Sequence, residues 1–443
     1  MADAHVVNTR ELRPPEAVLE ISDTLERHGF DTWCVGGAIR DALLGLPNSD
    51  WDIATTATPQ QVRQLFRRTV PVGEAHGTIG VLDRDNRMHE VTTFRRDVST
   101  DGRHAEVAFG ASLDEDLARR DFTINAIAFK PRGAILHDPF GGRADLTHGL
   151  IRAVGDPEAR MREDRLRALR GIRFAARFGF TIEPATWEAI IGSAPYLTRL
   201  SAERVSQELE KTMEQVRAPS QALRLWRDSG ALKTLIPVLA SIDDVTLASL
   251  DCLPVPRGRN ADARKWNRMS ALFFGLDGQT AYRALVALRF STARAKWISH
   301  LVEKWKLLSG ALSAPTDALV RLWVSTVGRT EFASFLRIAA ARWAAERTFP
   351  GPSDPLAQSI LQRPTPDSAT VRSVYRRGLR IAYSDTPVAI GDLTLDGNDL
   401  IQLGIPKGPQ IRLILEQMLD AVLDDPSLNT PDRLRAWLAA RER

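Results

Sequence analysis

At 443 residues the chain is too long for a single hydrophobic core and implies two to four domains. Its 44% apolar and 26% charged residues describe a globular chain; no apolar run reaches membrane-spanning length and no basic-then-apolar leader opens it, so the expected compartment is the cytoplasm. Two distant cysteines, Cys34 and Cys252, exclude a disulfide framework or zinc ribbon and read as buried thiols, while a net charge of +4 with a pI near 9.2 and more arginine than lysine suits a phosphate-rich partner.

The residues before about Glu26 read as a polar arm and a leading helix. Trp33 to Val35 is a short strand, and Gly36-Gly37 lets the backbone turn sharply and approach a ligand closely. Ala38 to Leu44 is a short helix ended by Gly45 and Pro47, with Asn48 and Ser49 continuing the turn. A strand then begins with acids: in Asp50-Trp51-Asp52-Ile53 the period of two puts both carboxylates on one face and the two apolar residues on the other. Neighbouring carboxylates repel, so a divalent cation, magnesium by its oxygen preference, is the expected occupant; a strand edge with two solvated acids carries the same pattern. Thr58-Pro59-Gln60-Gln61 opens a helix to about Arg67 with a capping box. Thr69 to Val72 and Thr78 to Leu82 are strands joined by a polar loop, and Arg87 to Phe94 is a strand with Glu90 at its centre.

Between Arg95 and Leu117 lies a long polar stretch, expected to be a flexible loop. Arg119-Arg120-Asp121-Phe122-Thr123-Ile124-Asn125-Ala126 offers planar donors for phosphate or ribose, with Asp121 and Asn125 to orient them. His137-Asp138-Pro139-Phe140-Gly141-Gly142 reads as a hinge turn, and too few histidines follow for a histidine–aspartate metal site. From Asp156 the pattern is helical. Arg167, Arg170 and Arg173 recur every three residues, a step of about 60° around a helix, and form a slanted stripe. Asp164, one turn before Arg167, supplies an acceptor beside a donor fork, the pair needed to read the amine-bearing edge of cytosine or adenine. A helix rich in internal salt bridges would look the same.

Taken together, the Gly-Gly turn, the paired acids and the later acid resemble the polymerase-beta-type nucleotidyltransferases. More closely, GGAIRDALLG with DWDIAT, RRDFTINA, DPFGG, EDRLR and the Leu200 to Lys211 stretch resemble motifs A to E of the class II tRNA nucleotidyltransferases and bacterial poly(A) polymerases. That resemblance implies an α+β fold: a mixed-sheet catalytic head over 1–147, then all-helical parts, a neck with the nucleotide-selecting helix over 148–215, a body over 216–349 and a tRNA-binding tail over 350–443. It implies Asp50, Asp52 and Glu90 as catalytic residues, with magnesium on Asp50 and Asp52. Gly36, Gly37, Arg40, Arg120, Asp121, Asn125, Asp164, Arg167, Arg170 and Arg173 would bind the nucleotide, and the Leu200 to Lys211 helix would buttress the selecting helix. The Pro350 to Pro366 segment reads as a linker, and Gly391 through Pro409 with the following helix as a tail gripping the tRNA elbow.

The implied activity is template-independent addition of CCA to the 3′ end of tRNA from CTP and ATP, without a membrane or DNA partner. Phe66-Arg67-Arg68 runs into PVGEAHGTIGV, unlike the pattern of poly(A) enzymes, and the full-length 95–117 stretch disfavours a CC-only enzyme. Poly(A) synthesis and CC-only or A-only addition are the alternatives. A catalytically dead RNA-binding head is the reading from a different class.

Overall fold

The computed structural model describes residues 12–47, 50–100, 105–308, 315–348 and 366–441. Two compact units emerge, one comprising Met1–Thr212 and Val216–Ala240, the other Met213–Gln215 and Ser241–Arg443. The expected turn at Asn48-Ser49 and nearly all of the expected 350–366 linker fall outside the described residues.

In the first unit, a helix α1 (Glu16–Arg27) leads into a seven-stranded mixed sheet in the order β3-β4-β5-β2-β1-β8-β9. Its strands are β1 (Thr32–Val35), β2 (Asp52–Thr55), β3 (Thr69–Gly73), β4 (Thr78–Leu82), β5 (Met88–Thr93), β8 (Ala128–Lys130) and β9 (Ile135–His137). All neighbours are antiparallel except β2 and β5, which run parallel with Ile53 opposite Val91. Val35, Ala54, Phe94, Leu117, Ala126, Ala128 and Val154 form one buried cluster on this sheet, with Trp33 and Phe140 packed against it. Exclusion of this apolar surface from water is what holds the sheet and its covering helices together.

The turn after β1 needs Gly36, whose φ of 78° and ψ of −140° no side chain tolerates well, and α2 (Gly37–Leu43) starts at the next residue. The helix α3 (Pro59–Leu65) carries the expected capping box between Thr58 and Gln61. It stops two residues short of Arg67, because Phe66 is already extended. The 95–117 stretch departs most from expectation: it is not a loop but a hairpin, β6 (Arg95–Thr100) and β7 (Ala105–Phe109), followed by a helix α4 (Leu113–Ala118) with a Ser112/Glu115 capping box. The tip, 101–104, lies outside the described residues.

After the sheet, α5 (Gly142–His148) is capped by Asp138, whose carboxylate accepts from the backbone N–H of Gly142 and Arg143 at 2.7 and 2.9 Å. This accounts for Asp138 without a metal. Gly142 itself is required by packing, since a Cβ there would lie 2.1 Å from the Thr123 carbonyl oxygen. Helices α6 (Pro157–Glu163), α7 (Leu166–Phe178), α8 (Pro184–Ser193) and α9 (Ala202–Gln215) follow, with a two-stranded pairing of β10 (Leu150–Ile151) and β11 (Thr181–Ile182) beneath α7.

The second unit is helical. Near its end Leu395, Leu400, Leu415, Met418, Val422, Leu434 and Leu438 build a separate small core. Cys34 is buried as expected, whereas Cys252 is exposed, at the end of the helix Asp244–Asp251. Among the described residues no helix is long and apolar enough to cross a membrane.

Candidate active site

Strand register brings the acids together. With Ile53 opposite Val91 in the parallel pair, Asp52 and Glu90, each one residue earlier, stand side by side on one face of the sheet. Trp51 and Ile53 are 4% and 0% exposed on the opposite side, as the alternation predicts, although the strand proper begins only at Asp52. Asp50 therefore lies on the segment entering β2, exposed to solvent. Burial, then the charges of Asp50 and Glu90, push the Asp52 carboxyl up to about 6 against the opposing pull of Arg120. Asp52 thus senses both other acids, and anionic charge accumulates around it. Among the described residues no three His, Cys, Asp or Glu side chains form a ready-made metal cage.

The Gly36 turn sits directly over the acids. A Cβ at Gly36 would lie 3.0 Å from Arg120 Nη1 and 3.5 Å from Asp52 Oδ2, so the glycine, the acid and the arginine converge on one small space. Arg120 is held from behind: its Nη2 donates to Asp116 Oδ2 at 3.2 Å and its Nη1 to the Asn125 carbonyl at 3.4 Å. Its Nε is buried without a hydrogen-bond partner, and it is Nη1 that faces the space at Gly36 and Asp52. Asp116 is 1% exposed; burial works to raise its pKa, and Arg120 and Arg119 together overcome that and hold it low. Sequence reasoning missed Asp116, although its spacing of three and four residues from Arg119 and Arg120 is the signal that finds it.

Asp121 and Asn125 form the middle of a longer buried chain. Asp121 Oδ1 accepts from Asn125 Nδ2 at 2.8 Å, and Oδ2 accepts from Arg170 Nη2 at 2.7 Å. Burial opposes ionisation of Asp121, but Arg170 and Asn125 prevail and bring its pKa down to about 2. Asn125 Oδ1 in turn accepts from Arg40 Nη1 at 2.5 Å. Arg40 is 4% exposed, donates from Nε to Asp41 Oδ1 at 2.8 Å, and lies 4.9 Å from the ring centroids of both Phe174 and Phe178. In this structure the Arg40 guanidinium faces protein partners, joining α2 to α7, rather than the space beside the acids. A Cβ on Gly37 would lie 3.3 Å from Arg40 Nη2, so the second glycine makes room for that inward turn.

Asp164 is not on the helix that carries the arginines. It occupies the joint between α6 and α7 in extended conformation, where Oδ1 accepts from the Leu166 N–H at 3.0 Å and Oδ2 from Arg204 Nη2 at 2.7 Å. Arg167 reaches back instead, donating from Nη1 to Glu163 Oε2 at 2.8 Å and from Nη2 to the Arg119 carbonyl at 2.9 Å. The acid and the arginine are neighbours, each fixed by other groups. Arg173, 3% exposed, pairs through Nε with Glu208 Oε2 at 2.7 Å. Two residues one turn apart on α9, Arg204 and Glu208, therefore hold the joint and the far end of α7, which is the buttress expected of the Leu200 to Lys211 stretch. The Arg173–Glu208 pair is buried on both sides, and removing one partner of such a pair costs about 3–5 kcal/mol, far more than an exposed pair is worth.

Residues 32–152 match the Poly A polymerase head domain family, and residues 179–243 match a probable RNA and SrmB-binding site of polymerase A. A CCA-adding enzyme of Geobacillus stearothermophilus is 33% identical over 444 residues, covering 98% of each chain. The crystal structure of the Bacillus stearothermophilus CCA-adding enzyme in complex with CTP superposes with a TM-score of 0.76 at 31% identity, over 98% of both chains. A Thermotoga maritima CCA-adding enzyme complexed with tRNA shares the fold at 21% identity, with a TM-score of 0.61 over 97% of this chain and 96% of that one. Acids on the central strands of the sheet under a Gly-Gly turn, buttressed arginine helices behind them and near-complete coverage of these relatives agree on one assignment: the chain belongs to the family of CCA-adding enzymes.

Proposed function

We propose that this chain rebuilds the 3′ end of tRNA, adding C, C and A in order from CTP and ATP without a nucleic-acid template. The observation that carries the reading is the convergence of Asp52 and Arg120 on the Gly36 turn, with Asp50 and Glu90 within electrostatic reach of Asp52. The family membership supports the same reading.

The chemistry is attack of the RNA 3′ hydroxyl oxygen on the α-phosphorus of the nucleotide, with release of pyrophosphate. Asp50 and Asp52 would hold magnesium, whose preference for oxygen ligands suits a pair of carboxylates. Two such ions would supply charge neutralisation at the α-phosphate and activation of the hydroxyl. Glu90, beside Asp52, accepts from the 3′ hydroxyl and orients it. Arg120 meets the triphosphate or ribose from the side of its Nη1, which faces Gly36, while Asp116 keeps the guanidinium in place. Gly36 and Gly37 let the backbone come close to the phosphates. Asp164 accepts from the exocyclic amine of cytosine or adenine and Arg167 donates to the ring, whereas uracil and guanine present a carbonyl where Asp164 needs a donor. Arg170 and Arg173, paired with Asp121 and Glu208, keep the selecting helix in register, and Arg40 with Asn125 ties that helix to the Gly-Gly turn.

The test is direct. The protein is incubated with tRNA lacking its 3′ end, with CTP and ATP supplied separately and together, and product length is read at single-nucleotide resolution. Two additions with CTP alone and a third only when ATP is present support the reading. A long adenosine tail identifies a poly(A) polymerase instead, and no metal-dependent addition identifies an RNA-binding protein.

A further inference from the structure

The helix Ser368–Ala382 in the second unit has two unlike faces. Val374, Gly378 and Ile381 are buried, and Gly378 is needed there because a Cβ would lie 2.0 Å from Phe332 Cε1. That face packs on the helices Asp317–Val327 and Phe332–Thr348. On the other side Arg372, Arg376 and Arg380 are all exposed. Steps of four residues turn a helix by about 40° beyond a full circle and rise about 6 Å, so the three guanidinium groups project from one face in a near-axial row.

Their pairing sets them apart from the arginines around them. Arg377, on the same helix, donates from Nε to Asp317 at 2.7 Å and from Nη1 to the Pro315 carbonyl at 2.7 Å. Arg329 is paired with Asp392 at 2.8 Å, and Arg347 donates to the Pro366 carbonyl at 2.9 Å. Among the described residues none of Arg372, Arg376 and Arg380 makes an ion pair or a side-chain hydrogen bond; Arg372 senses the Asp367 carboxylate at the helix start only through space. Just past the helix end, three residues after Arg380, Tyr383 is 80% exposed, and no other large apolar side chain on this helix is exposed to a comparable degree.

We infer that this face is a track for an RNA backbone, with Arg372, Arg376 and Arg380 meeting successive phosphates and Tyr383 stacking on a base or ribose beyond them. The inference rests on the reading of tRNA as the partner and assigns that partner a surface on this helix. A row of single-sign charge at regular steps matches the regular charge of a phosphate backbone, and guanidinium forks bind phosphate oxygens in pairs. An acidic protein partner would call for an apolar centre to the patch, and this face offers only the terminal tyrosine.

The test compares three forms of the full chain: the natural protein, a triple Arg372→Gln, Arg376→Gln, Arg380→Gln variant, and a triple Arg372→Lys, Arg376→Lys, Arg380→Lys variant. The affinity of each for tRNA is measured across salt concentrations, with helical content by circular dichroism. Each phosphate neutralised contributes about 0.7–0.9 to the slope of log affinity against log salt. The Gln variant is expected to show a slope shallower by about 2–3 at unchanged helicity, with the slope restored in the Lys variant. A Gln variant with the natural slope overturns the inference, as does equal weakening of both variants at an unchanged slope. Binding of the stripe to phosphatidylserine vesicles, lost in the Gln variant while the tRNA slope stays put, also overturns it in favour of a membrane surface. If the natural protein shows no salt-dependent tRNA binding at all, the functional reading fails before the stripe is reached.

Discussion

Asp52 and Asp164 are both carboxylates near the proposed nucleotide, and their surroundings assign them different work. Asp52 sits among like charges on the central strand of the sheet, where it is costly to keep ionised without a cation. Asp164 is already satisfied by a backbone N–H and by Arg204, so it is positioned rather than strained. Replacing Asp52 by Ala is expected to lower incorporation of every nucleotide at least about 10³-fold, about 4 kcal/mol of barrier, with tRNA affinity nearly intact. Single-turnover incorporation beside filter binding checks this, and activity near that of the natural protein removes Asp52 from the catalytic set. Asp164→Ala is expected to spare the chemistry and damage the choice of base. The ratio of kcat/KM for CTP over UTP should fall about ten- to hundredfold, the worth of one good base-edge contact. Equal slowing with all four nucleotides would reduce Asp164 to a helix-joint residue.

At the scale of elements, the head is held to α7 by the chain from Arg40 through Asn125 and Asp121 to Arg170, and this chain titrates. Asp121 falls from its usual 3.8 to about 2 in the folded protein, so its contribution to stability is fully present above about pH 4 and is lost as pH falls towards 2. A shift of that size corresponds to about 2–3 kcal/mol. Urea unfolding from pH 5 to pH 2 should show this loss in the natural protein and a flatter acid limb in Asp121→Asn; identical limbs would mean that other carboxylates govern acid unfolding. Much of this architecture was legible in the residues. The Gly36-Gly37 turn, the Thr58–Gln61 cap and the alternation that sorts Asp50 and Asp52 from Trp51 and Ile53 are local signals, and local signals survive folding. The hairpin over 95–109 was not, because its mixed polar residues carry no clear period of two. The row Arg167, Arg170 and Arg173 shows the complementary limit: spacing fixes the face they share and offers Glu163 to Arg167, but only the fold supplies Asp121 and Glu208 as partners of the other two. Arg40 turned inward for the same reason, since the aromatic pair that receives it lies more than a hundred positions away in the chain.

For the whole molecule, the expectation concerns how a chain with an excess of only +4 meets a polyanion. Many of the arginines described above are committed to internal partners, which leaves cations such as those on Ser368–Ala382 to meet RNA. Contacts to six to ten phosphates would weaken tRNA binding about 10³- to 10⁵-fold between 50 and 200 mM salt, with little dependence on stem sequence. Flat affinity over that range would point to an acceptor recognised by shape or by small-molecule contacts. The one parallel pairing in the sheet has a consequence of another kind. β2 and β5 cannot meet through a tight hairpin; α3, β3 and β4 intervene, so Asp52 and Glu90 come side by side only after that whole excursion has closed. Such non-local pairings are slow to form. A growing polypeptide that has emerged past Asp52 but not past Glu90 has Asp52 opposite Val35 of β1 but lacks β5 and the third acid. The acid cluster is thus complete only once β5 has docked beside β2, and a chain that has not yet reached Glu90 lacks one of the acids proposed for catalysis.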